Sequence, residues 1–186
     1  MREQRVNGVT ELLTAWRAGD TQAPQALATL VYADLHAMAA RRLAGAGRMP
    51  LQTTELVHEV FARLLERPLK ARDREHFFRT VALALRQVLT DAIRRERAEK
   101  RGGGALIVSL SAAADLAVAG PDTWLGIEAA LIELERVDAR KCRVVEMSLL
   151  LGLEQSEVAD TLGISVPTVE RDLRFARAWL RERLAH

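Results

Sequence analysis

At 186 residues, with 49% apolar and 28% charged residues, the chain can build one medium core or two small ones, and its single cysteine excludes an internal disulfide and a cysteine zinc cluster. The net charge of +2 and pI near 9.1 permit a nucleic-acid partner without demanding one. Nearly all the positive charge is arginine, since Lys70, Lys100 and Lys141 are the only lysines, and a planar guanidinium suits phosphates and base edges.

Helical periodicity runs through almost the whole chain. The stretch Met1-Arg2-Glu3-Gln4-Arg5 has no apolar signal core, and no run of about eighteen apolar residues occurs, so a soluble, cytoplasmic protein with no membrane partner is expected. Leu12, Leu13 and Trp16 share one face of a helix expected from Val9 to Ala18, with Gly19 as its stop. Pro24 suits the start of a second helix, whose stripe is Leu27, Leu30, Val31, Leu35, Met38 and Leu43; the run Gly45 to Pro50 breaks it. Thr53 or Thr54 is expected to cap a third helix with Leu56, Val57, Val60, Phe61, Leu64 and Leu65 buried.

The charged, proline-bearing stretch from Glu66 to Glu75 reads as a loop. A fourth helix from Glu75 to Lys100 carries Phe77, Val81, Leu85, Val88 and Leu89, then turns basic at Arg94-Arg95-Glu96-Arg97. Gly102-Gly103-Gly104 opens a small-residue stretch that reads as a flexible linker. A second helical unit follows, with Leu125, Ile127, Leu131, Leu134, Val144, Val145, Met147, Leu149 and Leu150 as its stripes and Cys142 as a buried structural thiol. The expected architecture is all-α: a helical domain over 1–101, a linker over 102–121 and a second helical domain over 122–186.

The most specific motif lies between Gln155 and Arg177. Gln155 to Leu162 reads as one helix, Gly163 as a turn needing positive φ, and Val166 to Leu173 as the start of a second helix. Ala159 is small enough for a close crossing, while Val158, Leu162, Ile164 and Val169 supply a small core. Ser165 is expected to cap the second helix, with Pro167 in its first turn. That helix would present Ser165, Thr168, Arg171, Arg174 and Arg177 to a major groove. A helix-turn-helix says DNA but not which role.

The first unit decides the role by resemblance. Thr54-Glu55-Leu56-Val57-His58-Glu59-Val60-Phe61, the run Phe77 to Val81, then Arg86-Gln87 and Asp91-Ala92-Ile93-Arg94-Arg95 are similar to an extracytoplasmic-function (ECF) sigma factor having regions 2 and 4 alone. The likeness implies a transcription initiation factor that binds core RNA polymerase, through its β′ coiled-coil and its β subunit, and brings it to promoter DNA. It implies polymerase docking at Glu55, His58, Glu59 and Phe61, and reading and opening of the start-proximal element by Gln87, Arg94, Arg95, Arg97 and Arg101. The helix-turn-helix residues would read the start-distal element. No cofactor, metal or catalytic residue is implied.

Three positions depart from the common pattern of the family: Thr54 where an acid is frequent, Thr80 where tryptophan is, and Phe175 where arginine is. Thr54 is thereby a candidate phosphosite, since a phosphate adds about −1.5 to −2 charge at a helix start; a plain helix cap is the competing reading. No sensory segment follows Leu184, so control is expected from outside, by an anti-sigma protein or a Ser/Thr kinase. Among rivals, Glu55-x-x-His58 has the spacing of a di-iron bundle but lacks the second such motif that chemistry needs. Two further rivals are a stand-alone helix-turn-helix regulator and a sigma-like sequestering protein.

Overall fold

The computed structural model describes residues 2–44, 51–66, 73–99 and 121–185, and among them the chain is helical with no strand. In order these are α1 (Arg2–Arg17), α2 (Ala23–Ala44), α3 (Thr53–Glu66), α4 (Arg74–Glu99), α5 (Pro121–Val137), α6 (Ala139–Val145), a π-helical turn (Glu146–Leu150), α7 (Gln155–Leu162) and α8 (Val166–Leu184). The expected loop at 67–72 and the expected linker, save Pro121, lie outside the described residues. Helix α1 starts at Arg2 rather than Val9, because its polar first turns carry no apolar stripe to announce them. It stops as expected at Gly19, which takes a left-handed φ of 91°.

Helix starts are set by side chains that satisfy orphan amides. Asp73 accepts the His76 N–H at 2.8 Å and starts α4. At α3 the expected threonine cap is corrected. Gln52 holds the cap position: its carbonyl accepts from Leu56 N at 2.9 Å, and its own N–H donates to Glu55 at 3.1 Å. Thr53 and Thr54 therefore sit inside the helix, because the reciprocal bond from Glu55 fixes the register one residue earlier.

Helices α1 to α4 bury Leu13, Leu27, Val31, Leu56, Val57, Val60 and Leu64 against Phe77, Val81 and Leu85. Helices α5 to α8 bury Trp124, Ile127, Leu131, Leu134, Val144, Met147, Leu173 and Leu180. The two sets meet in one continuous core through α4. That helix buries Ala82, Ala84, Arg86 and Thr90 as well as its apolar stripe, and it touches α3 on one side and α5, the π turn and α7 on another. The π turn closes with Leu151 N donating to Glu146 O at 2.8 Å, and its wider turn brings Glu146, Met147 and Leu150 all inward.

Cys142 lies in this second group, its thiol donating to the Leu131 carbonyl at 3.5 Å. Burial pushes the thiol up to about 12, with the nearby Glu146 charge adding to the effect. The native protein should therefore resist alkylation by iodoacetamide at neutral pH and react stoichiometrically once unfolded in urea. Mass spectrometry after timed labelling checks this; rapid native labelling would contradict the burial.

Candidate nucleic-acid interface

Helices α7 and α8 form the expected helix-turn-helix. Glu154 N–H donates to the Glu157 carboxylate at 2.8 Å, fixing the start of α7. Gly163 ends it with φ 62° and ψ 35°, the left-handed conformation a side chain would strain. Ile164 N then donates to Ala159 O at 3.0 Å, folding the turn back under α7. Val158 and Val169 are fully buried at the crossing, with Leu162 and Ile164 packed against them.

Ser165 occupies the cap position of α8 with extended backbone (φ −81°, ψ 151°), but its side chain caps nothing. Its hydroxyl pairs instead with the Thr168 hydroxyl at 2.9 Å, while its backbone carbonyl accepts from Thr168 and Val169. The expected side-chain cap is thus replaced by a hydroxyl pair, and Pro167 in the first turn already removes one orphan amide.

Along α8, Val169, Asp172, Leu173, Ala176 and Leu180 face inward. Arg171, Arg174 and Arg177 are exposed on the outer side, with Ser165 exposed and Thr168 half-buried at the leading end. The helix is held to its neighbours by charged and aromatic contacts. Arg140 of α6 grips Asp172 with two bonds of 2.9 and 3.3 Å, and Lys141 Nζ stands 3.9 Å from the same carboxylate. Lys141 also lies over the Phe175 ring, 5.0 Å from its centre, and Phe175 stacks on Trp179 at 6.2 Å. Trp179 donates to the Ala130 carbonyl of α5 at 3.3 Å, and Arg183 pairs with Glu133 at 2.8 Å.

Helix α4 exposes Gln87, Arg94, Arg95 and Arg97. Arg101 lies outside the described residues. On α3, Thr54, Glu55, His58 and Glu59 are all exposed, whereas Phe61 is half-buried and stacks on Tyr32 of α2, with ring centres 5.9 Å apart. The acidic edge and the basic helix end therefore lie on different elements of one bundle, and the groove-sized arginine face lies on α8. Among the described residues no group of three or more His, Cys, Asp or Glu could hold a metal ion, and no helix is long and apolar enough to cross a membrane.

Two residues carry more than the sequence suggested. Arg86, adjacent to Gln87, is 2% exposed and ion-paired across to α5 and the π turn. Asp172 is 1% exposed inside a run of arginines. Its position was readable: it falls on the stripe of Val169, Leu173, Ala176 and Leu180, where a carboxylate requires a partner.

Comparison with curated proteins and with solved structures gave no match. A family model does match, that of the ECF sigma factors, over residues 6–186. With nearly the whole chain covered, both the first helical group and the helix-turn-helix included, the protein belongs to the ECF sigma factor family, DNA-binding factors of transcription initiation.

Proposed function

We propose that the chain binds core RNA polymerase through the exposed edge of α3 and directs it to promoters with two elements. Glu55, His58, Glu59 and Phe61 contact the β′ coiled-coil, with further contact to the β subunit. Gln87 and the arginines Arg94, Arg95, Arg97 and Arg101 read and open the start-proximal element. Ser165, Thr168, Arg171, Arg174 and Arg177 read the start-distal element in the major groove. Residues 1–101 and 122–186 act as separate units on either side of the segment 102–121. The observation that carries this reading is the outward arginine face of α8, set on a packed helix-turn-helix whose remaining surfaces are pinned to α5 and α6.

Reconstituted transcription with core polymerase on a genomic DNA library tests it. Protein-dependent start sites sharing a two-part upstream motif are expected. Core binding without any start would favour a sequestering role. Failure to bind core would leave a stand-alone helix-turn-helix regulator.

A Ser/Thr kinase acting on Thr54 is part of the proposal. Thr54 is exposed and near the start of α3, where a negative charge is favoured by the helix dipole and extends the acidic edge of Glu55 and Glu59. Thr54→Glu is expected to bind core polymerase roughly two- to fivefold more tightly than Thr54→Ala at low salt, as titrated by fluorescence anisotropy. Equal affinities would remove Thr54 as a switch.

A further inference from the structure

Phe175 is 44% exposed in the middle of α8, where Leu173, Ala176 and Leu180 face inward and Trp179 packs on the core. It stands four residues after Arg171 and seven after Thr168, so the three share one stripe of the helix. At a rise of about 1.5 Å per residue the ring lies about 6 Å beyond Arg171, or about two base-pair steps along a duplex. A helix that lays Thr168 and Arg171 in a major groove therefore brings Phe175 to the same groove.

The ring is held in place before any partner arrives. Lys141 Nζ lies over it, 5.0 Å from its centre, and Trp179 stacks on it at 6.2 Å with 25° between the planes. Both neighbours are themselves anchored. Trp179 Nε1 donates to the Ala130 carbonyl at 3.3 Å, while Lys141 pairs with Asp138 and stands 3.9 Å from the Asp172 carboxylate. A side chain already fixed in the free protein gives up little entropy on contact.

A phenyl ring has no hydrogen-bond donor or acceptor, so the polar pattern of a base edge is invisible to it. The one apolar feature that a major groove offers is the C5-methyl group of thymine. We propose that Phe175 reads that methyl group, which makes the start-distal element depend on a thymine about two base steps from the base Arg171 contacts. This deepens the promoter-factor reading given above and rests on it. It adds a base that the arginines do not select, since a guanidinium seeks guanine edges and phosphates. An arginine in place of Phe175 would bring charge to the groove wall. Here Lys141 keeps a positive charge beside the ring, and the ring itself is left for apolar contact.

Thymine and deoxyuridine differ by this methyl group alone, which makes the test direct. Holoenzyme is bound to the start-distal duplexes recovered from the genomic library, with each thymine in turn replaced by deoxyuridine. One replacement in the stated window should weaken binding about fourfold, the transfer value of a single methyl group. Phe175→Ala should bind the thymine duplex as weakly as the unaltered protein binds the deoxyuridine one, and lose nothing further on deoxyuridine. Phe175→Arg should also ignore the methyl group, and should steepen the slope of log affinity against log salt by about one. Circular dichroism should show both variants as helical as the parent, because the side chain lies outside the core.

The deoxyuridine scan of the unaltered protein decides even where a variant fails to fold. Equal binding at every thymine, or a selected element with no thymine in the window, overturns the proposal. A methyl dependence that survives in Phe175→Ala or Phe175→Arg belongs to another side chain and overturns it as well. So does a Phe175→Ala variant that weakens binding to core polymerase while keeping the thymine preference, since the ring is then a protein contact. If holoenzyme selects no start-distal duplex at all, the promoter-factor reading fails and takes Phe175 with it. That result is distinct from a selected element that is indifferent to the methyl group.

Discussion

Replacing Arg140 with alanine is expected to destabilise the helix-turn-helix group by about 2–3 kcal/mol, more than replacing the carboxylate it grips. The asymmetry follows from exposure. The Asp172 side chain is 2% exposed and the Arg140 side chain 49%. Without Arg140 the carboxylate stays buried, with Lys141 Nζ 3.9 Å away as its remaining charge partner. Without Asp172 the arginine turns outward into water and leaves little behind. Asp172→Asn, which keeps the shape, should therefore cost only about 1 kcal/mol. Arg140→Ala combined with Asp172→Leu should recover most of the Arg140→Ala loss, because an apolar side chain suits the stripe of Leu173, Ala176 and Leu180. Urea denaturation followed by circular dichroism measures all three. If Asp172→Asn proves the more damaging single change, the stranded-charge account is wrong and hydrogen bonding from the carboxylate matters more.

The contrast between Arg140 and Arg86 on one hand and the surface arginines on the other shows where sequence reading stops. Periodicity identified the apolar stripes of α2 to α8 among the described side chains, because one-sided burial repeats every three or four residues; the expected stripe members Met38, Leu43 and Leu65 lie outside them. Gly163 was legible as a positive-φ turn because few other residues tolerate that backbone. Helix α4 was legible only on one side. Its second buried face includes Ala82, Arg86 and Thr90, residues that carry no apolar signal, so nothing in the periodicity marked Arg86 as buried.

The partners of Arg86 sit 42 and 60 residues away, and nothing local ties them together. Caps failed for a related reason. Both Thr53 and Ser165 are good cap residues by type, but the reciprocal bond from Glu55 moved the start of α3, whereas Ser165 does hold the cap position of α8 with its hydroxyl paired to that of Thr168 instead of a backbone amide. The candidate residues on α3, α4 and α8 could be named from the sequence. Their distribution over elements joined through α4 could not.

Arg171→Ala and Arg174→Ala should each weaken binding to the start-distal element by about 1–3 kcal/mol, close to the largest loss a single side chain can cause at a groove. Both side chains are exposed near the leading end of α8, and the structure shows no role for them in holding the helix. The stability of the variants should therefore match the parent, which separates them from Arg140→Ala. A residue that reads a base should lose its preference at one position and bind altered and unaltered promoters alike. Arg95→Ala on α4, where a phosphate contact is expected, should instead weaken every sequence equally and lower the slope of log affinity against log salt by about one. Competition binding of polymerase holoenzyme to promoter duplexes with single base changes, at several salt concentrations, distinguishes the two. Uniform loss across unrelated sequences for Arg171→Ala, with a reduced salt slope, would assign that arginine to the backbone. Base reading would then fall to Arg174 and to Thr168, whose hydroxyl is paired with that of Ser165 and keeps further hydrogen-bonding capacity for a base edge.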